Sequence, residues 1–130
     1  MFADYGRGMI QLVTMLKRKP GTTHEEFLDY WRNTHGPLVA GLPCARYVRR
    51  YEQHASIWPP PGSKMPEPMY DGVTIQWFES ADDFYAHVME PDQAEMMEDT
   101  KRFLDVTALH WTICEAPVVV IGDGAATLPG

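Results

Sequence analysis

The sequence has little positive charge and no long apolar run. Its 130 residues contain 11 Lys and Arg against 18 Asp and Glu, which gives a formal net charge of -7 at pH 7. Nucleic acids and anionic membranes both attract clustered Lys and Arg, so neither is an expected partner. The longest apolar runs are too short for a transmembrane helix, and the start of the chain lacks a signal-peptide pattern, so we expect a cytoplasmic protein.

Cysteine and the common cofactor motifs are also scarce. Cys44 and Cys114 are too few for a disulfide framework or a zinc site, and we expect two reduced thiols, with a single disulfide as the alternative. The sequence contains no glycine-rich phosphate loop, nucleophile elbow or dinucleotide fingerprint. We therefore expect no metal, nucleotide or pyridoxal cofactor. Haem, which needs only one histidine ligand, stays open.

Large apolar and aromatic side chains are abundant. The chain has eight Met, six Tyr, five Phe and four Trp, and 45% of its residues are hydrophobic while 22% are charged. This composition is typical of one globular domain. Such side chains fill cores, but they also line apolar pockets and subunit interfaces.

The predicted elements follow the order βαββαβ. An apolar stretch at 9–16 predicts a strand buried on both faces. Thr22 and Thr23 are each followed three residues later by a glutamate, and these overlapping capping boxes begin a helix over about 23–35. Gly36-Pro37 is expected to end or kink this helix, because the residue before a proline avoids the helical region.

The rest of the chain is predicted from alternation, caps and prolines. The predicted strands are 46–54 at a sheet edge, 73–78 and 111–115, with 118–121 as a continuation or an extra edge segment. A second helix is capped by Ser80, and an amphipathic helix follows to about Leu104. We expect one domain over 9–121, with an N-terminal extension at 1–8, a proline-rich loop at 57–70 and a tail at 122–130.

This order predicts an α+β protein with a ferredoxin-like fold, in which helices cover one face of a four-stranded antiparallel sheet. Three of the strands are mainly apolar instead of cleanly alternating, so the second face of the sheet is expected to be covered too. Because the chain has no sequence left to cover it, a second copy of the chain is the expected cover.

Polar side chains interrupt these apolar strands and indicate a pocket. We expect Gln11, Gln76 and Glu115 to share one face with several large apolar side chains, which is the usual lining of a ligand site. The alternative is that these groups hydrogen-bond to one another across a dimer interface. A slip of one residue in any strand would reverse its faces.

Two histidines are candidates for acid-base chemistry. His35 is predicted at the end of the first helix, where the helix dipole would raise its pKa and the Gly-Pro turn could direct it into the pocket. Capping the helix or facing solvent is the alternative. His54 ends the second strand next to the proline-rich loop, and functional and structural roles are both open there.

The sequence resembles the EthD-domain family, named for an ethyl tert-butyl ether degradation protein, over about residues 9–120. The most specific block is His35-Gly36-Pro37-Leu38 with Tyr30-Trp31 before it. Supporting blocks are the stretch from Arg18 to Phe27, Tyr47-Val48 with Tyr51 and His54, Asp71-Gly72-Val73, Trp77-Phe78, and Phe103-Leu104-Asp105.

The resemblance implies a homodimeric α+β barrel in which two sheets pack face to face around a pocket. It also implies a cofactor-independent lyase or isomerase acting on a small aromatic or polyketide-like compound. His35 is then the acid or base, assisted by Tyr51 and His54. Gln11, Gln76 and Glu115 would orient the substrate, and the aromatic residues of the matching blocks would contact it, namely Trp31, Tyr47 and Trp77.

Two other functions remain open from the sequence. One is a cofactor-free monooxygenase, in which a polyphenol substrate itself activates oxygen. The other is a protein that binds a small molecule without catalysis.

Overall fold

The sheet has four antiparallel strands in the ferredoxin-like order. A computed structural model describes residues 8–123, so most of the predicted extension and tail lie outside the described residues. The strands are β1 (Ile10–Leu16), β2 (Arg50–Ala55), β3 (Gly72–Phe78) and β4 (His110–Glu115), in the spatial order β2-β3-β1-β4. Every neighbouring pair is antiparallel, which confirms the predicted fold class.

Four α-helices lie along the chain between these strands. They are α1 (His24–Tyr30), α2 (Gly36–Gly41), α3 (Ala81–Val88) and α4 (Gln93–Phe103), with short 3₁₀ turns at Pro43–Tyr47 and Val106–Ala108. The predicted caps are present. The Glu26 amide donates to Thr23 Oγ1 while the Thr23 amide donates to Glu26 Oε1, and the Asp83 amide donates to Ser80 Oγ.

The first helix does not end at His35. A π-helical turn over Trp31–His35 joins α1 to α2, and the helical path continues to Gly41. In a π turn an amide donates to the carbonyl five residues earlier, one residue further back than in an α-helix. The Gly36 amide therefore donates to the carbonyl of Trp31. The expected end of the helix at Gly36-Pro37 was therefore wrong, because Pro37 sits at the start of α2, where a missing amide hydrogen costs little.

Two strand predictions also need correction. The predicted strand at 46–54 is shorter and lies further along, at Arg50–Ala55, because the preceding residues form a 3₁₀ turn; it does lie at the sheet edge, as predicted. The segment 118–121 forms no strand, and Val120 and Ile121 are 80% and 93% exposed. The proline-rich stretch 57–70 contains no helix or strand, as predicted.

The register of the strands separates two faces of the sheet. Leu12 pairs with Gln76 and Thr14 with Thr74, and these side chains face the helices. Gln11 lies opposite Trp77, so both point to the other side, which we call the helix-free face. The expectation that Gln11 shares a face with Gln76 and Glu115 was thus wrong, although the assignment within each strand was right.

Candidate functional site

A cavity of about 480 Å³ lies between the sheet and the helices of a single chain. This volume is in the range of small-molecule sites. The resemblance implied a pocket enclosed by two sheets, but the structure places the cavity on the opposite side of the sheet. The sheet forms its floor through one row of side chains: Leu12, Thr14, Leu16, Tyr51, Thr74, Gln76 and Trp111.

The helices form the roof and the mouth of the cavity. Val39 and Phe84 are buried in the roof, whereas Tyr85 and Trp111 line the cavity and are each 60% exposed. These exposed aromatic side chains, one on α3 and one on β4, mark the opening. A ligand would enter past two aromatic rings.

The π turn directs two side chains of the first helix into this cavity. Trp31 and His35 begin and end the turn, both are buried, and both line the cavity. The Trp31 ring lies over β3 at a position where only glycine fits, because a Cβ on Gly72 would come within 2.7 Å of the ring. Gly72, the first residue of β3, therefore has a packing role, in addition to following Asp71 at the end of the loop.

His35 is held by a buried carboxylate. Its Nδ1 lies 2.7 Å from Oδ2 of Asp99, whose Oδ1 accepts hydrogen bonds from the hydroxyl of Tyr30 at 2.6 Å and from Arg102 at 3.1 Å. The ring of Phe103 packs against the imidazole at 4.8 Å. With Nδ1 donating to Asp99, the other ring nitrogen, Nε2, carries the lone pair and makes no hydrogen bond within residues 8–123.

The electrostatics of His35 differ from the sequence-based expectation. Burial lowers the pKa of His35, and the hydrogen bond and charge of Asp99 only partly offset this effect. The expected rise depended on a helix end at His35, and the helix instead continues past it. Burial also opposes ionisation of Asp99, but the hydrogen bonds from Tyr30, His35 and Arg102 outweigh it and lower the pKa of that carboxyl. The pair is thus a neutral imidazole beside a carboxylate at pH 7.

Tyr51 lies on the floor of the cavity. Its hydroxyl oxygen accepts a hydrogen bond from Nε2 of Gln53 at 3.2 Å, and the same amide donates to the Trp31 carbonyl at 2.9 Å. Burial raises the pKa of Tyr51, and the nearby donor groups of Gln53 and Trp31 lower it by less. The phenol is therefore protonated at neutral pH, and since its oxygen already accepts from Gln53, its own proton remains available to a ligand.

The predicted site residues divide into two groups. His35, Tyr51, Gln76 and Trp31 line the cavity. The other five do not. Gln11, Trp77 and His54 lie on the helix-free face, Tyr47 lies in the 3₁₀ turn with its hydroxyl near Glu90, and Glu115 is exposed near the end of β4. His54 is also exposed, and its Nε2 forms a hydrogen bond with Oε1 of Glu52 at 2.9 Å.

Sequence reasoning missed Asp99 and Gln53. Asp99 stands three residues after Met96 and four before Phe103, on the buried side of an otherwise polar helix, and an acid at apolar spacing was the available signal. Gln53 gave no such signal, because its role depends on the carbonyl that the π turn brings to it.

Metal and membrane sites find no support in residues 8–123. This part of the chain holds no cluster of three His, Cys, Asp or Glu residues suited to a metal ion. None of its helices has the length and apolar character needed to cross a membrane. Cys44 and Cys114 are both free thiols, as expected. Burial raises the pKa of the Cys44 thiol to about 11, so it is a poor nucleophile at neutral pH.

Comparison with known proteins agrees with this architecture. The family model described as the EthD domain matches residues 19–107. No curated protein matches the chain. A dimeric protein with a ferredoxin-like fold from Bacteroides fragilis superimposes with a TM-score of 0.61 at 17% sequence identity, over 85% of this chain and 99% of its own.

Two further solved structures come from proteins of described activity. Hydroxynitrile lyase from Passiflora edulis has a TM-score of 0.59 and 11% identity, covering 84% of this chain and 94% of its own. SnoaB, a cofactor-independent oxygenase from Streptomyces nogalater, has a TM-score of 0.54 and 12% identity, covering 84% of this chain and 93% of its own. At these identities the likeness shows the fold alone.

Proposed function

The chain belongs to the EthD-domain family, and from that premise we propose that it is a cofactor-independent lyase or isomerase. Its substrate would be a small aromatic or polyketide-like compound that enters the cavity between sheet and helices. The observation that carries the proposal is the buried His35–Asp99 pair, which leaves Nε2 of a neutral imidazole available in an apolar cavity. A lyase with the same fold supports this class of reaction.

His35 would act as the general base. Nε2 takes a proton from a carbon next to a carbonyl group, the C–H bond breaks, and its electron pair moves onto the carbonyl oxygen. Asp99 stabilises the imidazolium that forms. Return of the proton to another carbon gives an isomerase, and expulsion of a leaving group gives a lyase.

Tyr51 would stabilise the oxygen that gains negative charge. Its protonated hydroxyl would donate to that oxygen from the floor of the cavity, where a donor already held in place stabilises developing charge. Gln76 stands directly opposite Tyr51 on β3 and supplies a second donor on the same floor. His54 and Glu115 have no role in this proposal, since neither lines the cavity.

A cofactor-free oxygenase is the second candidate, and the fold shared with SnoaB favours it. In that case His35 would deprotonate a polyphenol, and the electron-rich anion would itself reduce molecular oxygen. Oxygen consumption with an anthrone, measured with an electrode, separates the two candidates: consumption that depends on His35 supports the oxygenase, and none supports the lyase or isomerase.

The base can be tested without knowing the substrate. Nitrobenzisoxazole is a flat neutral probe, and removal of its ring C–H proton breaks its N–O bond and releases a coloured phenolate. The wild-type protein should accelerate this release, and His35→Gln should lose about a hundredfold or more of the acceleration, which is the usual contribution of a positioned base. Absorbance of the phenolate over time measures the rate for each of the two proteins.

His54→Gln is the matched control, because His54 is exposed on the helix-free face. It should keep the wild-type rate. If His35→Gln releases the phenolate as fast as the wild type, the base assignment is wrong and a binding protein without catalysis becomes the better explanation. Binding of the probe, followed by tryptophan fluorescence, should persist in His35→Gln.

We also propose that the protein is a homodimer that packs through the helix-free face. The central strands present Val13, Met15, Val73 and Ile75 there, and the edge strands present polar side chains such as Glu52 and Thr112. An apolar centre with a polar rim is the usual anatomy of a protein interface. The dimeric relative with the same fold supports this assembly.

A further inference from the structure

Four uncharged polar side chains form two pairs on the floor of the cavity. Tyr51 stands opposite Gln76 across β2 and β3, and Thr74 stands opposite Thr14 across β3 and β1. All four line the cavity. Directly opposite residues on one face of a sheet lie about 5 Å from each other at Cβ, so the two side chains of each pair border the same part of the cavity.

The spacing of the two pairs is set by the strand. Gln76 and Thr74 are separated by one residue on β3, and two steps along a strand cover about 7 Å. Their neighbours on β1 are the apolar Leu12 and Leu16, and the neighbour of Thr74 on β2 is Gln53, whose amide is already bound to Trp31 and Tyr51. The cavity therefore offers two separate polar positions on an apolar surface.

The threonine pair has unused hydrogen-bonding capacity. The Thr14 hydroxyl, the Thr74 hydroxyl and the Gln76 amide make no hydrogen bond to the described part of the chain. Thr74 is only 6% exposed. Because Thr14 and Thr74 line the cavity and their hydroxyls have no protein partner, both can form hydrogen bonds with a ligand there.

The charge of the lining restricts what that partner can be. The side chains that the structure places around the cavity are Leu, Val, Phe, Met, Trp, Tyr, Thr, Gln and one His, all uncharged at pH 7. The Asp99 carboxylate does not line the cavity and is hydrogen-bonded to His35. A carboxylate on the ligand would lose its hydration without gaining a cationic partner.

We propose that the cavity recognises an uncharged planar ring compound with two oxygen functions about 7 Å apart. One oxygen bonds to Tyr51 and Gln76, and the other bonds to Thr14 and Thr74. The inference rests on the proposed function, in which the oxygen at Tyr51 is the one beside the reacting carbon. The threonine pair then selects the substrate without taking part in the chemistry.

Three naphthalene probes of similar size test the inference. They are a naphthalenediol with one hydroxyl at the far end of each ring, the corresponding mono-hydroxyl naphthol, and the hydroxynaphthoate that carries a carboxylate in place of one hydroxyl. Titration calorimetry should show the diol binding about five- to tenfold more tightly than the naphthol, since one hydrogen bond contributes about that much. The hydroxynaphthoate should bind more weakly than both.

Thr74→Val tests the assigned position, since valine has nearly the same shape and lacks the hydroxyl. It should reduce the ratio of diol to naphthol affinity to about one. Thr112→Val is the control, because Thr112 is exposed on β4 opposite Val13, on the helix-free face. It should leave the ratio unchanged.

A diol that binds no better than the naphthol would overturn the inference, as would a wild-type ratio in Thr74→Val or a hydroxynaphthoate that binds as tightly as the diol. Failure of the three probes to bind would also overturn it. The proposed function has a different failing result. It is wrong if His35→Gln keeps full activity on nitrobenzisoxazole, even when the protein still prefers the diol to the naphthol.

Discussion

At the scale of single residues, the chemistry of His35 depends on one carboxylate. Asp99 fixes which ring nitrogen carries the proton, and its charge raises the pKa of His35 against the stronger effect of burial. Without that carboxylate the imidazole would be a weaker base and free to turn. Asp99 is therefore a positioning residue, which acts on the substrate only through His35.

Asp99→Asn should reduce the acceleration of nitrobenzisoxazole release by about tenfold or more, because the imidazole loses the group that orients it and stabilises its protonated form. The pH profile distinguishes this from general damage. Activity rises with pH as His35 loses its proton, so in the wild type the half-maximal rate should lie below the ordinary histidine pKa of about 6.5. In Asp99→Asn it should move to still lower pH, because the charge that raised the pKa is gone.

Tyr30→Phe is the control for this change. It removes another hydrogen bond to Asp99 and leaves the bond from His35 in place. A pH profile close to that of the wild type is expected. If Asp99→Asn lowered the rate without moving the profile, Asp99 would have a structural role only.

At the scale of elements, the proline-rich loop is anchored at both ends by one buried cluster. Asp71, fully buried, accepts from the backbone amide and the guanidinium of Arg18, both at 2.9 Å, and lies 2.8 Å from Nδ1 of His24. Trp58, near the start of the loop, stacks on His24 at 4.1 Å between ring centroids. A loop without regular structure is thus fastened to α1 and to the segment that follows β1.

Asp71→Asn should lower the free energy of unfolding by about 3 kcal/mol at pH 7, because it leaves the Arg18 guanidinium without its buried carboxylate partner. Burial opposes ionisation of Asp71, but its hydrogen bonds from Arg18 and His24 outweigh this and lower its pKa. Its contribution is therefore present above the unfolded value near pH 3.9 and lost as the pH falls through the lower folded value. Urea unfolding should show that the difference in unfolding free energy between the wild type and Asp71→Asn becomes smaller below about pH 4.

Glu98→Gln provides the comparison, since Glu98 makes an exposed ion pair with Lys101 at 3.5 Å. A change below about 0.5 kcal/mol is expected there. An equally small change in Asp71→Asn would show that the cluster does not hold the loop.

Local signals in the sequence predicted the elements well, and contacts between elements explain the errors. Thr23 and Ser80 began helices as their side chains predict, because capping depends only on neighbours in the chain. The end of the first helix was misplaced, because the π turn is supported by Gln53, a residue on a distant strand. His35 was found through its motif, whereas Asp99 became visible only when α4 was packed against the first helix.

At the scale of the whole molecule, the two faces of the sheet differ in what covers them. The sequence shows which residues of one strand share a face, because side chains alternate along the strand. It does not show which of these faces lie on the same side of the sheet, because that depends on the register between strands. One face of the sheet forms the floor of the cavity. On the other, Val13 and Ile75 pair across β1 and β3 and are half-buried without cover from the described chain.

That uncovered apolar centre gives a prediction about assembly. Wild-type protein should sediment at twice the mass of the chain, and Ile75→Glu should sediment as a monomer, because a carboxylate at the centre of an interface would be buried without a partner. Ile57→Glu is the matched control: Ile57 is 87% exposed in the proline-rich loop and should leave the dimer intact. The monomeric variant should keep its cavity, since the cavity is built within one chain. Its diol affinity should then equal that of the wild type, and a monomeric wild-type protein would overturn the proposed dimer.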